Sequence, residues 1–281
     1  MKLIEGREVA KALRKQTPSI AEALRARGVN PTLAVVVPTD DEGTAWYVRS
    51  IARAADRVGV NCRIEQLAQP DHDDLVAKLE ALSADENVHG IICQTPLPEN
   101  VKLADVAAHI APSKDVDGAN PMSLGRLAAG LETFAPATAE AVMVLFEAIG
   151  FNLDGKDITM VGRSTVVGTP AALLMLDHGA TVTICHRQTV DLEAECRTAD
   201  AVVVAAGAPG LITAKHLKPG AIVIDVGTTP TEDGQLVGDV DFESASEVAG
   251  AITPVPGGVG PVTTQLLLRN TVVAAQRQNP A

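Results

Sequence analysis

Six short apolar runs with helical patterns between them constrain this chain more than any other feature: Leu33–Val37, Gly90–Cys93, Ile158–Val161, Thr181–Cys185, Ala201–Ala205 and Ala221–Val226. Each is rich in Val, Ile or Ala and is read as a run without polar alternation. That pattern belongs to strands buried on both faces of a parallel sheet. The stretches between them read as helices: Asp41 to Val58, Asp73 to Leu82, Thr138 to Ile149, Pro170 to Asp177 and Val262 to Gln276. Thr17-Pro18 interrupts an earlier helical stretch as a kink or a restart, with Thr placed to cap and Pro at the first helical position. Alternation of strand and helix from end to end predicts an α/β protein with right-handed crossovers.

The 281 residues are enough for two domains. Pro/Gly-rich Ala111–Gly118 and the segment Asn120–Pro136 separate two groups of strands, and Thr253–Pro261 precedes a last helix that is expected to return to the first domain. The boundaries expected are 1–120 plus 262–281 for one domain and 121–261 for the other. A net charge of −12 argues against a partner bound through a phosphate backbone, and six aromatic residues make no stacking platform for single strands. No nucleic-acid partner is expected. No apolar run reaches the length of a membrane span, and MKLIEGREVA lacks the apolar core of a secretory signal. Cys62, Cys93, Cys185 and Cys196 are scattered, and the six His residues show no metal-ligand spacing, so no metal site is expected. Dispersed thiols fit a reducing cytoplasm.

The strongest local signal runs from Ile158 to Pro170, ITMVGRSTVVGTP: a buried strand, a tight glycine turn and a helix. Gly162 permits the turn, Gly168 lets the helix lie close to the strand, and the first helical amides then face a pyrophosphate. Ser164 stands where the usual fingerprint has its second glycine, and the last glycine comes one residue late. The next strand, Thr181–Cys185, ends in His186-Arg187, where NAD-specific folds place an acidic residue. Arg163 and Arg187 with no carboxylate suit an added 2′-phosphate, so NADP is expected over NAD.

Seven segments, in order, resemble the bifunctional methylenetetrahydrofolate dehydrogenase/cyclohydrolase family: Tyr47-Val48, Gln94–Pro98 (QTPLP), Lys114–Gly118 (KDVDG), Val161–Ser164 with Val167-Gly168, Ile224–Gly227 (IDVG), Gly238–Asp241 (GDVD) and Pro254–Pro261 (PVPGGVGP). The resemblance spans essentially the whole chain. It implies an N-terminal α/β folate domain and a Rossmann-like, parallel-sheet NADP domain, with the active site in the cleft between them. It also implies a homodimer paired through the cofactor domain, acting in folate one-carbon metabolism. By the same resemblance Tyr47 stacks on the aminobenzoate ring of the folate. Gln94 and Asp117 bind the reacting end and the pterin, completing the catalytic set, and the loop of Pro256, Gly257 and Gly258 lines the same cleft. Gly162, Arg163, Ser164, Gly168, Arg187 and Thr228 are the implied cofactor positions.

The chain departs from that pattern at one chemically decisive place. The family's catalytic lysine lies four residues after the tyrosine, on the same helix face, and Ile51 stands there. Arg49 and Arg53 lie roughly 200° and 240° around the helix from Tyr47, and an arginine does not surrender its proton. Ile51 equally extends an apolar stripe with Val48, Ala55 and Val58. Thr95 replaces a leucine, Ala137, Ala139 and Ala141 stand in the family's Pro-Cys-Thr-Pro-x-Gly turn, and Arg187 replaces a serine. Hydride transfer is mainly a positioning task, whereas hydrolysis of the methenyl cation needs proton transfer. The leading expectation is therefore an NADP-dependent dehydrogenase with weak or lost cyclohydrolase activity. A bifunctional enzyme with a surrogate base and a non-catalytic binder of NADP or folate are the alternatives.

Overall fold

Two parallel sheets carry the fold in the computed structural model, which describes residues 1–231 and 233–280. The strands are β1 (Lys2–Leu3), β2 (Thr32–Val37), β3 (Asn61–Gln66), β4 (Gly90–Cys93), β5 (Asp157–Val161) and β6 (Thr181–Cys185), followed by β7 (Ala201–Val204), β8 (Ile222–Asp225), β9 (Thr229–Pro230), β10 (Leu236–Val237) and β11 (Ala251–Ile252). The helices are α1 (Gly6–Leu13), α2 (Thr17–Ala26), α3 (Glu42–Val58), α4 (His72–Ala84), α5 (Leu103–Ala107) and α6 (Pro121–Ala128), then α7 (Ala137–Ala148), α8 (Gly168–Asp177), α9 (Leu192–Arg197), α10 (Phe242–Ser246) and α11 (Val259–Gln278). Leu13–Ala137 groups with Thr264–Ala281 in one compact unit, and Met1–Ala12 groups with Thr138–Thr263 in the other.

The first unit is built on the parallel order β3-β2-β4. All six residues of β2 are buried, as a central strand covered on both faces must be. On one face Ala34, Val36 and Ile91 cluster with Leu75, Leu79 and Leu82 of α4 and with Val106 and Ile110. Helix α3 starts at Asp41, whose carboxylate accepts from the Thr44 amide at 2.7 Å, and stops at Gly59 in a left-handed conformation with φ 75°. Between those caps its buried side chains are Thr44, Val48, Ile51, Ala55 and Val58, one stripe at helical spacing. Strand β3, NCRIEQ, escapes a hydrophobicity reading because it is a polar edge strand.

The second unit is a parallel sheet in the order β1-β11-β8-β7-β5-β6. Val161, Val202, Val204, Val223 and Ile252 pack in one core cluster with Cys196, Leu217 and Ala245. Three expectations change here. Thr181–Cys185 is not buried on both faces, because β6 is the sheet's edge and pairs only with β5. The expected boundary at residue 120 also moves. Residues 1–12 join the second unit because Lys2 and Ile4 donate to Gly250 and Ile252 at 2.7 and 2.8 Å, while residues 121–137 stay with the first. A two-residue strand is too short to leave a periodic signal. Finally, α2 does restart at Thr17-Pro18, but Gln16 is its cap residue, without a side-chain capping bond.

Candidate functional site

Tyr47 and Ile51 on α3, Gln94 directly after β4 and Asp117 between α5 and α6 all belong to the first unit. Tyr47 is partly buried on α3, while Trp46 beside it is 56% exposed on another face. Burial raises the phenol's pKa to about 12; the charge of Asp117 adds to the rise, and a hydrogen bond with the Thr264 side chain opposes it. Tyr47, Asp117 and Thr264 are thus brought together from α3, the loop between α5 and α6, and α11. Thr264 has no counterpart in the motif reading, since nothing local in the sequence ties it to Tyr47.

Asp117 lies in a loop shaped by its neighbour Asp115. The Asp115 carboxylate, fully buried, accepts from Ser123 Oγ at 2.6 Å and from the amides of Ala119 and Asn120 at 2.9 and 3.0 Å. Burial raises the Asp115 pKa and those three bonds oppose it. Gly118, at φ 58°, turns the chain so closely that a Cβ there would meet the Pro136 backbone nitrogen at 2.5 Å. Asp117 itself accepts only from the Ala137 amide, at 3.3 Å, among the bonds that act on its pKa. Burial, then the Asp115 charge, raises Asp117 to about 7. A carboxyl poised near neutrality, in a loop held by other groups, is a candidate site residue on physical grounds.

Gln94 follows β4 directly, and its amide donates to Val36 at 2.9 Å. The loop it opens is tied to α3 by Thr44, whose hydroxyl donates to the Thr95 carbonyl at 3.1 Å. Ile51 lies one turn beyond Tyr47 and is fully buried, whereas Arg49 and Arg53 are exposed.

In the second unit the turn from β5 to α8 has the form a pyrophosphate needs. Gly162 adopts φ 126°, and a Cβ on it would lie 2.2 Å from the Ala205 carbonyl oxygen. A Cβ on Gly168 would lie 2.2 Å from the Gly162 carbonyl oxygen, so both glycines are required by close backbone approach. Ser164 Oγ accepts from the Val167 and Gly168 amides at 3.2 and 3.4 Å, which orders the start of α8. Arg163 is exposed and donates to Gln188 Oε1 at 3.3 Å, bringing the glycine turn beside the His186–Thr189 turn that carries Arg187. Thr228 is exposed just after β8. Pro256, Gly257 and Gly258 belong to this unit; a Cβ on Gly6 would collide with the Gly258 carbonyl, and Gly257 has φ 114°.

Among the described residues, no group of His, Cys, Asp and Glu is arranged to hold a metal, and no helix is long and apolar enough to cross a membrane.

Residues 4–117 match the catalytic domain of tetrahydrofolate dehydrogenase/cyclohydrolase, and residues 136–279 match the NAD(P)-binding domain of the same enzyme. The chain belongs to the tetrahydrofolate dehydrogenase/cyclohydrolase family. It is 56% identical over 281 residues to bifunctional protein FolD 1 of Saccharopolyspora erythraea, covering 100% of this chain and 96% of that one. The crystal structure of the bifunctional FolD enzyme of Campylobacter jejuni superposes with a TM-score of 0.95 at 39% identity, covering 99% of both chains. The Trypanosoma brucei enzyme, crystallised with NADP and an inhibitor, gives 0.94 at 37% identity over 99% of this chain and 98% of its own. The chain is accordingly an enzyme of folate one-carbon chemistry, and the alternative of a non-catalytic binder is set aside.

Proposed function

We propose that this chain is an NADP-dependent methylenetetrahydrofolate dehydrogenase in which cyclohydrolase activity is weak or lost. The observation that carries the proposal is Ile51, a fully buried isoleucine one helical turn from the Tyr47 phenol. Dehydrogenation moves a hydride from the methylene carbon of the folate, driven by the lone pairs of the flanking nitrogens, and leaves a methenyl cation. What the protein must supply is alignment. In this reading Tyr47, Gln94 and Asp117 hold the folate, with Pro256, Gly257 and Gly258 on the substrate side. Hydrolysis of the methenyl cation adds water and moves protons on and off nitrogen, a contribution worth about 10²–10⁴-fold from a well-placed acid/base group. Ile51 has neither a proton nor a charge to offer.

The residues of the second unit fit a dinucleotide. Gly162 and Gly168 remove the side chains that would block the turn, Ser164 fixes the start of α8, and Thr228 lies just after β8, two strands along the sheet from β5. When bound, NADP supplies the nicotinamide carbon that accepts the hydride. Arg163 and Arg187, exposed and with no acidic residue between Cys185 and Val190, favour the 2′-phosphate of NADP over the bare ribose of NAD. The unpaired edge of β6, with Ile184 41% and Leu176 of α8 59% exposed, supports a homodimer through this unit. Free, dispersed thiols support a cytoplasmic setting.

A second reading, a bifunctional enzyme with a surrogate base, draws on Asp117, whose pKa near 7 suits proton transfer. One assay separates the two. Purified protein is given methylenetetrahydrofolate with NADP, and NADPH formation is followed separately from the decay of methenyl-folate. The proposal expects NADPH to form and methenyl-folate to accumulate, decaying near its uncatalysed rate. Rapid decay would transfer the weight to the second reading.

A further inference from the structure

Two buried aspartates in the second unit take no part in the chemistry proposed for the chain. Asp225 ends β8 and is 3% exposed; Asp239 follows β10 and is fully buried. Asp225 Oδ1 accepts from the Gly227 and Asp239 amides at 2.9 and 3.1 Å, and its Oδ2 accepts from the Val240 amide at 3.0 Å. Asp239 Oδ2 accepts from the Ala206 and Gly207 amides at 2.7 and 2.9 Å, and its Oδ1 accepts from the Ala208 amide at 2.8 Å. The arrangement continues behind Asp225, whose own amide donates to Thr253 Oγ1 at 2.8 Å. Two carboxylates therefore collect six backbone amides from three separate loops. Burial is the largest influence on Asp225, followed by three amides and the charge of Asp239, with no cation among them.

We infer that Asp225 and Asp239 form a positioning relay that sets the loops after β7 and β8 for the dinucleotide. The inference rests on the cofactor reading proposed above. In an open parallel sheet a dinucleotide binds outside the carboxyl ends of the strands where the strand order reverses. Here that point lies between β5 and β7, since β5 is flanked by β6 on one side and β7 on the other. The segment leaving β7 there passes hard against the glycine turn, as the 2.2 Å approach of a Gly162 Cβ to Ala205 shows. Its next three amides, with Gly207 at φ 64°, form a concavity of the kind that binds anions. Asp239 fills this concavity from within the protein, so the three amides are not available to a phosphate. The outer surface of the loop is what remains to meet the cofactor. Asp225 fixes Gly227, the neighbour of Thr228, in the same way, and holds Asp239 through its amide.

The glycines of both motifs follow from this packing. A Cβ on Gly227 would lie 2.3 Å from Asp239 Cγ, and one on Gly238 would lie 1.9 Å from Asp225 Oδ2. The Asp225-Val226-Gly227 and Gly238-Asp239 segments thus close over the two carboxylates with no room for side chains. Filling a core would not need this. Apolar residues do that without the desolvation that a carboxylate incurs. Six directed amide bonds instead fix backbone positions, which is what a binding loop requires.

The test compares wild-type protein with Asp239→Asn, Asp239→Ala and Asp225→Asn, each titrated calorimetrically with NADP after a cooperative melt shows that it folds. Asp239→Asn keeps the shape but offers fewer acceptors to three donors, and should weaken NADP by about tenfold or more while leaving folate affinity unchanged. Asp239→Ala empties the concavity, and added formate should restore part of its lost NADP affinity, a recovery that general destabilisation would not give. Folded Asp239→Asn binding NADP within about twofold of wild type would overturn the relay. If Asp239→Asn does not fold, Asp225→Asn is read against the same threshold with the same consequence. A wild-type protein that binds no NADP would refute the cofactor reading itself, which is a different result from equal binding by wild type and variant.

Discussion

Replacing Asp117 by asparagine should make this protein more stable at alkaline pH and worse at holding folate. The Asp117 carboxyl has a pKa near 7 in the folded protein against 3.8 ordinarily, because burial and the charge of Asp115 both oppose its ionisation. A group held higher in the folded state contributes stability below its unfolded pKa and loses that contribution as pH rises through its folded one. The wild-type protein therefore carries no penalty from Asp117 near pH 4 and the whole of it above about pH 8. Moving an aspartate from 3.8 to about 7 corresponds to a ceiling of about 4 kcal/mol. Because the side chain is only partly buried, about 1–2 kcal/mol is the working expectation. For domains of this size that is a gain of roughly 2–8 °C in melting temperature. Asparagine keeps an oxygen for the Ala137 amide, so the geometry of the loop is preserved. Melting curves of both proteins between pH 5 and 8.5 should diverge as pH rises, since other titrating groups are common to the two. Calorimetry with a folate should show weakened binding in the variant. A melting-temperature difference that does not change with pH, or a variant less stable than wild type at pH 8, would refute the assignment of Asp117 as a strained site carboxyl.

Ile51→Lys should raise hydrolysis of added methenyl-folate above the wild-type rate, increasingly as pH climbs toward the lowered pKa of a buried amine. It should also cost about 2–4 kcal/mol near neutrality, a loss that shrinks at higher pH, while Ile51→Met should change stability by less than about 1.5 kcal/mol and leave hydrolysis as it was. A folded Ile51→Lys protein with unchanged hydrolysis would show that Ile51 is not the limiting difference. Arg163→Ala should weaken NADP by about tenfold or more and NAD far less, because only NADP has the 2′-phosphate. Equal losses for the two cofactors would make Arg163 a structural residue that acts through Gln188.

What could be read from the sequence and what could not divides along physical lines. Strands β2, β5, β7 and β8 were legible because they lie inside their sheets and are largely apolar, and β4 was legible because Gly90–Ile92 are buried although the strand is at an edge. β3 was not, because a polar edge strand with exposed Asn61, Arg63 and Gln66 has no hydrophobic obligation to display. β1 and β11 hold two residues each, less than one period of any pattern, yet their pairing decides which unit receives the N-terminus. The same division runs through the site. Ile51 was legible because the family resemblance marks the fourth residue after the tyrosine, and helical spacing sets that residue one turn from Tyr47. The glycine turn at Gly162 was legible because positive φ and close approach both demand glycine. The coupling of Tyr47 to Asp117 and Thr264 was not, since it joins α3, a loop and α11 through contacts that leave no periodic trace. Asp225 and Asp239 show the limit most clearly. Both aspartates stood in recognisable segments, but their partners are backbone amides, which every residue except proline carries. A side chain that recognises backbone leaves its own identity in the sequence and no mark on its partners. Buried aspartates flanked by glycines are therefore where motif reading should be supplemented by asking which loop the carboxylate is holding, and for which ligand.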